Sequence, residues 1–151
     1  MKIEIGESLL LSWLKHIKEC QLVQMNWKPS VKWEIKNRQT LERLMANSAD
    51  FFAGKYGYDL YKGNKSINQL IGQAEVDVIG VNYDEQTPQI YGIDVAFHEG
   101  GLNYGSKEET VARIIKKILR TAMCLHDYVG NAAGTIIFAS PKINPAIHTE
   151  L

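Results

Sequence analysis

Two apolar segments in the middle of the chain, each interrupted by one aspartate, constrain the fold more than any other feature. The segments are residues 73–81 and 90–99, and the aspartates in their interiors are Asp77 and Asp94. Both segments are rich in β-branched residues and have the length of a strand. The polar residues between them suit a tight connection. We therefore predict two adjacent strands that are largely buried.

Each aspartate sits where a carboxylate is costly unless it is paired, hydrogen-bonded or bound to a metal. Two carboxylates on neighbouring strands repel each other, so a positive group is expected between them. The alternative is that one or both point outward or cap a turn. Strand alternation places Asp94 on one face with Gly92, Ala96 and His98. This small-residue face is expected to have room for a cation, a water or a substrate, and the bulky opposite face is expected to be core.

Composition is that of an ordinary globular domain. The 151 residues are 45% hydrophobic and 23% charged, with a formal net charge of zero, which predicts a single domain over 1–151. A neutral chain gives no global argument for a nucleic-acid partner, so such a case must rest on local patches. No apolar run has membrane-spanning length, and the charged first residues predict no signal peptide. Two cysteines far apart are typical of reduced, buried thiols in a cytoplasmic protein.

Helical spacing of apolar residues predicts two helices before the central strands, over 7–20 and 40–52. Thr40 is expected to cap the second helix, and Gly54 lies where it should stop. The predicted buried face of that helix comprises Leu41, Leu44, Met45, Phe51 and Phe52. Between the helices, residues 21–27 alternate like an extended segment. Residues 57–66 are predicted to be irregular, and their tyrosines and nearby lysines leave open nucleic-acid contact or, as the more common case, ordinary packing.

The clearest helix begins at Ser106, which forms a capping-box pattern with Glu109. An apolar stripe follows over residues 111–125. The basic stripe predicted on the opposite face comprises Arg113, Lys116 and Arg120. Such a stripe is either a solvated helix face or a contact for nucleic acid. Lys117 differs because it lies at the edge of the apolar stripe, where its stem can follow apolar surface and its ammonium can reach a neighbouring site.

Residues 134–140 are predicted to form a third strand, so the order strand, helix, strand predicts a parallel pairing through a right-handed crossover. The glycine-rich loop over 100–105 is either a mobile loop beside a site or an ordinary connection. Asn144 and Pro145 begin a last helix. Leu151 would cut that helix short, so the chain is expected either to be truncated there or to fray.

The order helix, acidic hairpin, long helix, strand resembles the core of the restriction-endonuclease-like superfamily, the PD-(D/E)xK nucleases. The residues that carry the resemblance are 75–79, which read Glu-Val-Asp-Val-Ile, and 93–96, which read Ile-Asp-Val-Ala. Within them Asp77 resembles the strand-borne metal aspartate of the family, and Asp94 resembles the acid of its (D/E)xK strand. The resemblance covers roughly residues 70–140 and rests on a short motif. It implies an α/β fold with a mixed central sheet flanked by helices.

The activity implied by this resemblance is metal-dependent hydrolysis of phosphodiester bonds in DNA or RNA. Asp77 and Asp94 would hold Mg²⁺ or Mn²⁺ through hard oxygen ligands. The lysine of the family would occupy position 96, where this chain has Ala96. Lys117, on the following helix, is the candidate substitute. The residues expected to contact the nucleic-acid backbone are Arg113, Lys116 and Arg120.

Three classes of function remain open at this stage. The first is a metal-dependent nuclease, and the second is a catalytically silent binding or interaction module on the same fold, which Ala96 favours. The third is a small-molecule α/β enzyme in which His98 would act as a base or ligand, although a histidine there is more often simply satisfied at a strand end. No membrane partner is expected, and a homodimer is compatible with the sequence.

Overall fold

A mixed β-sheet lies at the centre of the molecule, as the two apolar segments predict. The computed structural model describes residues 2–30, 32–84, 86–96, 104–130, 133–142 and 145–151. In chain order the elements are α1 (Lys2–His16), β1 (Leu22–Trp27), α2 (Arg38–Tyr56), α3 (Ile67–Gly72), β2 (Val76–Asn82), β3 (Gln89–Val95), α4 (Lys107–Val129), β4 (Ala133–Ala139) and α5 (Pro145–Glu150).

The described strands form a four-stranded sheet in the order β1-β2-β3-β4. The β1–β2 and β2–β3 pairs are antiparallel, and Val78 lies opposite Ile93 in the second pair. The β3–β4 pair is parallel, with Ile93 beside Ile137, and α4 makes the connection between the two strands. The prediction of two adjacent central strands followed by a parallel strand is therefore confirmed.

Helices cover both faces of this sheet. On one face, α1 packs Leu14 against a buried cluster that contains Val78 and Ile93. The approach is close, since a Cβ atom on Gly80 would lie 2.9 Å from the Cδ1 atom of Leu14. On the other face, Leu125 of α4 packs against β2 and β3. The aspartate face of β3 is the one that α4 covers, so both aspartates of the hairpin project from the sheet on the side of α4.

The outer side of α4 is also covered. Met123 and Cys124 of α4 lie in a buried cluster with residues of α2, α3, the turn between them and the segment just after α3: Leu41, Leu60, Tyr61, Ile67, Leu70, Ile71 and Ala74. Because α4 contacts the sheet on one side and this cluster on the other, much of its surface is inaccessible. This arrangement decides which of its basic residues can be solvated.

Some helix limits differ from the sequence-based expectations. Helix α1 ends at His16, and α2 begins after Asn37, so Thr40 lies inside α2 instead of capping it. Helix α2 also continues through Gly54, because one glycine inside a helix costs only about 1 kcal/mol. It ends at Gly57, whose φ of 71° is the left-handed conformation of a helix C-cap. Helix α3 was not predicted.

Two residues of the predicted buried face of α2 are in fact on the surface. Leu44 is 45% exposed and Phe51 is 52% exposed, whereas Leu41 is fully buried. Several predictions fall outside the described residues: His98 and the end of the second apolar segment, most of the loop over 100–105, and Asn144. None of the described helices is long and apolar enough to span a lipid bilayer.

Candidate functional site

The β2–β3 hairpin brings the two predicted aspartates together. Continuing the register by one residue beyond the Val78–Ile93 pair places Asp77 opposite Asp94, on the face that α4 covers. Residues directly opposite each other in an antiparallel pair have Cβ atoms about 4.5–5.5 Å apart. The geometry of an antiparallel ladder therefore makes these two carboxyl groups neighbours.

Asp94 is the more buried of the two, with 3% of its surface exposed. The Oγ1 hydroxyl of Thr121 on α4 donates a hydrogen bond to its Oδ2 atom over 3.0 Å. The pKa of Asp94 is raised to about 6. Burial is the main cause and the negative charge of Asp77 adds to it, while the Thr121 hydrogen bond and the charges of Lys117 and Arg120 lower the pKa. Asp94 is thus held in a place where its ionised form is disfavoured.

Asp77 is half-buried. The backbone N–H of Val95 donates a hydrogen bond to its Oδ2 atom over 2.7 Å. Burial raises the pKa of Asp77, whereas the hydrogen bond from Val95 and the charge of Lys117 lower it. The side chain of Asp77 ties β2 to β3 and keeps part of its surface in solvent.

Two cations of α4 act on both carboxylates. Lys117 and Arg120 lower the pKa of Asp77 and of Asp94, although neither forms a salt bridge with these acids among the described residues. Both cations are half-buried. The Nζ atom of Lys117 lies 5.6 Å from the centre of the Tyr104 ring, a cation–π distance. The site therefore combines two acids with two cations that are close without being paired.

The sequence predicted that the basic stripe of α4 lies on the face opposite the apolar stripe. In the structure only part of this basic stripe is exposed to solvent. Arg113 is exposed, but Lys116 is half-buried, and burial lowers its pKa together with the charges of Arg120 and Arg113. Arg120 departs most from the expectation. Its Nε atom is buried and has no hydrogen-bond partner among the described residues. The physical reason is that α2 and α3 cover the outer side of α4.

The room expected beside Asp94 is taken up by α4 itself. A Cβ atom on Gly92 would lie 2.6 Å from Cδ1 of Leu125 and 3.1 Å from Cγ2 of Thr121. Ala96 is buried in an apolar cluster with Val111, Ile114 and Ile147. The small residues of this face thus allow the helix to approach, and the described residues leave the half-exposed Asp77 as the solvent-facing acid of the pair.

Sequence reasoning missed Thr121 and Tyr104 as parts of the site. Thr121 had a usable signal, because a buried hydroxyl inside the apolar stripe of a helix needs a polar partner. Tyr104 gave no such signal, since its contacts come from residues 113 and 117 on the following helix. The sequence predicts only a contact with the nucleic-acid backbone for Arg120. Its electrostatic effect on the two acids depends on the rotation of α4 against the sheet.

The donor atoms at this site suit a hard cation. In both carboxylates the hydrogen bond uses Oδ2, and the described residues supply no donor to either Oδ1 atom. The described residues contain no group of three or more His, Cys, Asp or Glu side chains that could hold a metal. Mg²⁺ needs only one or two carboxylates, because it keeps several water ligands. The pair therefore fits Mg²⁺ or Mn²⁺ better than a metal that requires a full protein cage.

No family model matches this chain, and neither the curated proteins nor the solved structures give a match. The assignment of function therefore depends on the side chains of the site. The features that matter are the two acids on one sheet face, the cations Lys117 and Arg120, which form no salt bridge with them within the described part of the chain, and the ring of Tyr104 beside Lys117.

Proposed function

We propose that this protein is a metal-dependent hydrolase of phosphodiester bonds in nucleic acid, built on a restriction-endonuclease-like fold. One observation carries the proposal. Asp77 and Asp94 come from adjacent strands, share one face of the sheet, and are coupled electrostatically to each other and to Lys117. The order α1, β2–β3 hairpin, α4 and β4 supports the same proposal, because it is the order on which the family resemblance rests.

Asp77 and Asp94 would hold the metal, and the chemistry it supplies when bound is polarisation of the phosphate and a lower pKa for a bound water. Lys117 and Arg120 lower the pKa of both acids, so their positive charges would also stabilise negative charge that develops on a phosphate held there. Tyr104 contributes by position, since its ring face contacts Lys117 and limits where the ammonium can lie. In this arrangement Lys117 takes the role that Ala96 cannot fill.

A second candidate, a catalytically silent binding module, is favoured by two specific observations. Ala96 fills an apolar cluster and leaves no cation on β3 beside Asp94. The hydrogen bonds from Thr121 and Val95 also give both carboxylates a structural use, since they connect β3 to α4 and β2 to β3. An acid pair of this kind would survive in a protein that only binds its partner.

The two candidates are separated by a cleavage assay on DNA and RNA with Mg²⁺ or Mn²⁺. We expect cleavage by the wild type that is abolished by a chelator. Lys117→Met is expected to lower the rate about 100-fold or more, because it removes a charge that acts in the transition state. Its thermal midpoint should stay almost unchanged. The matched control is Lys116→Met on the next residue, which should weaken binding and its salt dependence but leave the bound rate close to wild type.

Equal rates for Lys117→Met and the wild type would remove this lysine from the mechanism. Absence of cleavage by the wild type on both nucleic acids, with oligonucleotide binding intact, would reject the hydrolase and favour the silent module. An intact rate in Asp77→Asn would likewise argue against a role for the acid pair in catalysis.

A further inference from the structure

An aromatic cluster on the surface, outside the acidic site, has no role in the function proposed above. It consists of Phe51, Phe52 and Tyr56 at the end of α2 and Tyr58 just beyond it. Successive ring centres lie 5.0, 5.9 and 5.6 Å apart along this series. Phe51 is 52% exposed and Tyr56 is 45% exposed. Contiguous exposed aromatic surface of this kind commonly marks a binding site.

Positive charge lies directly over this cluster. The Nζ atom of Lys55 is 5.4 Å from the ring centre of Phe51 and 5.1 Å from that of Tyr56. The cluster is therefore a cationic surface as well as an aromatic one. A ligand that offers both flat rings and negative charge complements it better than a purely apolar partner.

A basic cavity adjoins the cluster along the chain. Directly after Tyr58, the turn contributes Asp59 and Lys62 to an open cavity of about 280 Å³, which α4 completes with Glu109, Arg113 and Lys116. Three cations and two acids line it, so its charge is positive on balance. Burial and the charges of its neighbours Arg120 and Arg113 lower the pKa of Lys116. The negative charge of Asp59 raises this pKa, but its effect is the smallest of the four. An anion in the cavity would relieve the repulsion between these cations.

Tyr104 links a residue of this cavity to a residue of the acidic site. Arg113, which lines it, lies with its guanidinium carbon 5.5 Å from the centre of the Tyr104 ring. Lys117 lies over the same ring at 5.6 Å and acts on Asp77 and Asp94. Aromatic cluster, basic cavity and acidic site are thus connected through neighbouring residues.

We propose that this surface binds single-stranded nucleic acid, with a base stacked on Phe51 and phosphates held by Lys62, Arg113 and Lys116. Tyr56 supports the platform from below, since its own ring is stacked between Phe52 and Tyr58. Base stacking on protein rings needs unpaired bases, whose faces are hidden in a duplex, and it tolerates any sequence. The passage of the strand to Asp77 and Asp94 rests on the proposed function, whereas the binding of the strand to this surface is independent of it.

The test measures the fluorescence anisotropy of a labelled oligo-dT strand, an oligo-U strand and a blunt duplex with the full chain in chelator, where cleavage cannot occur. We expect the wild type to bind a single strand about tenfold more tightly than the duplex. Phe51→Ala should weaken single-strand binding about tenfold, since that is the size of one stacking contact, and Phe51→Trp should restore it. The matched control is Tyr83→Ala, which removes a 57% exposed aromatic residue at the end of β2.

Equal single-strand affinities for Phe51→Ala and the wild type, with both proteins folded by circular dichroism, would overturn the inference. A preference for the duplex, or no binding of any oligonucleotide, would overturn it too and leave the cluster to a protein partner. Single-strand binding without cleavage would sustain the inference and reject the hydrolase. Cleavage by the wild type, with no loss of single-strand affinity in Phe51→Ala, would support the hydrolase and overturn the inference.

Discussion

Asp94 lies between β3 and α4 with 3% of its surface exposed and a hydrogen bond from Thr121. Burial disfavours its ionised form first, and the charge of Asp77 disfavours it further. A hydrogen bond from one hydroxyl does not compensate for a buried negative charge. At the scale of single residues, the ionised carboxylate of Asp94 therefore opposes folding at neutral pH.

Asp94→Asn is expected to be more stable than the wild type at neutral pH without metal. The pKa of Asp94 rises from 3.8 to about 6 on folding, so between these values the native state binds more protons and stability falls as the pH rises. Asparagine removes the charge and keeps an oxygen for Thr121. The gain should reach up to about 3 kcal/mol above the folded pKa and fade below the unfolded one, and urea unfolding at several pH values would measure it.

The control for this change is Asp50→Asn, at an exposed position of α2, which should alter stability little at any pH. A wild type as stable as Asp94→Asn near neutral pH would contradict this prediction and show that other groups offset the charge of the buried carboxylate.

Candidate site residues could be predicted from the sequence only where a local pattern singles them out. Asp77 and Asp94 could be selected because a carboxylate inside an apolar strand segment is unusual in any fold. Lys117 could be selected because its place at the edge of an apolar stripe is visible in helical periodicity. The position of Arg120 could not be predicted, since it depends on a layer of helices whose contacts are long-range.

At the scale of elements, the close contact of α4 with the sheet depends on one position of β3. Gly92 leaves space for Leu125 and Thr121, and Thr121 is the residue that reaches Asp94. Because helix and strand meet at this point, the packing that stabilises the fold also sets the position of the hydrogen bond at the site.

Gly92→Ala is expected to lower the free energy of unfolding by about 1–3 kcal/mol, the usual cost of overpacking. The added Cβ atom would meet Leu125 at 2.6 Å, so the helix or its side chains must shift. The control is Gly134→Ala on the adjacent strand β4, where the nearest side-chain atom is 3.7 Å away and the loss should be smaller. Chemical denaturation of both variants would decide, and equal losses would mean that α4 adapts freely.

The start of α2 shows why element limits are hard to predict. Asp127 at the end of α4 is 1% exposed and accepts hydrogen bonds from the backbone N–H groups of Lys36 at 3.0 Å and Asn37 at 2.6 Å. These bonds fix the chain just before α2 begins. The acceptor is some 90 residues away, so a local capping rule that favoured Thr40 had no access to it.

At the scale of the whole molecule, zero net charge conceals an uneven distribution. Of the cations of α4, Lys117 and Arg120 act on Asp77 and Asp94, whereas Arg113 and Lys116 line the cavity next to the aromatic cluster. Sequence predicted the strand pairing and the parallel connection, because both follow from local apolar patterns and chain order. It did not predict that α2 and α3 would cover α4, because this packing is between segments far apart in the chain and no local apolar pattern specifies it.

The folded state as a whole is expected to be stabilised by Mg²⁺ through Asp77 and Asp94. A ligand that binds only the native state at about ten times its dissociation constant adds about 1.4 kcal/mol, which corresponds to about 3–6 °C in the thermal midpoint of a chain of this size. Melting curves with MgCl₂ and with NaCl at equal ionic strength separate binding from screening. The shift should disappear in Asp94→Asn, because the amide that relieves the repulsion also removes a ligand, and it should persist in Lys116→Met. The same shift in Asp94→Asn and in the wild type would place the bound metal elsewhere and leave the two acids to a structural role.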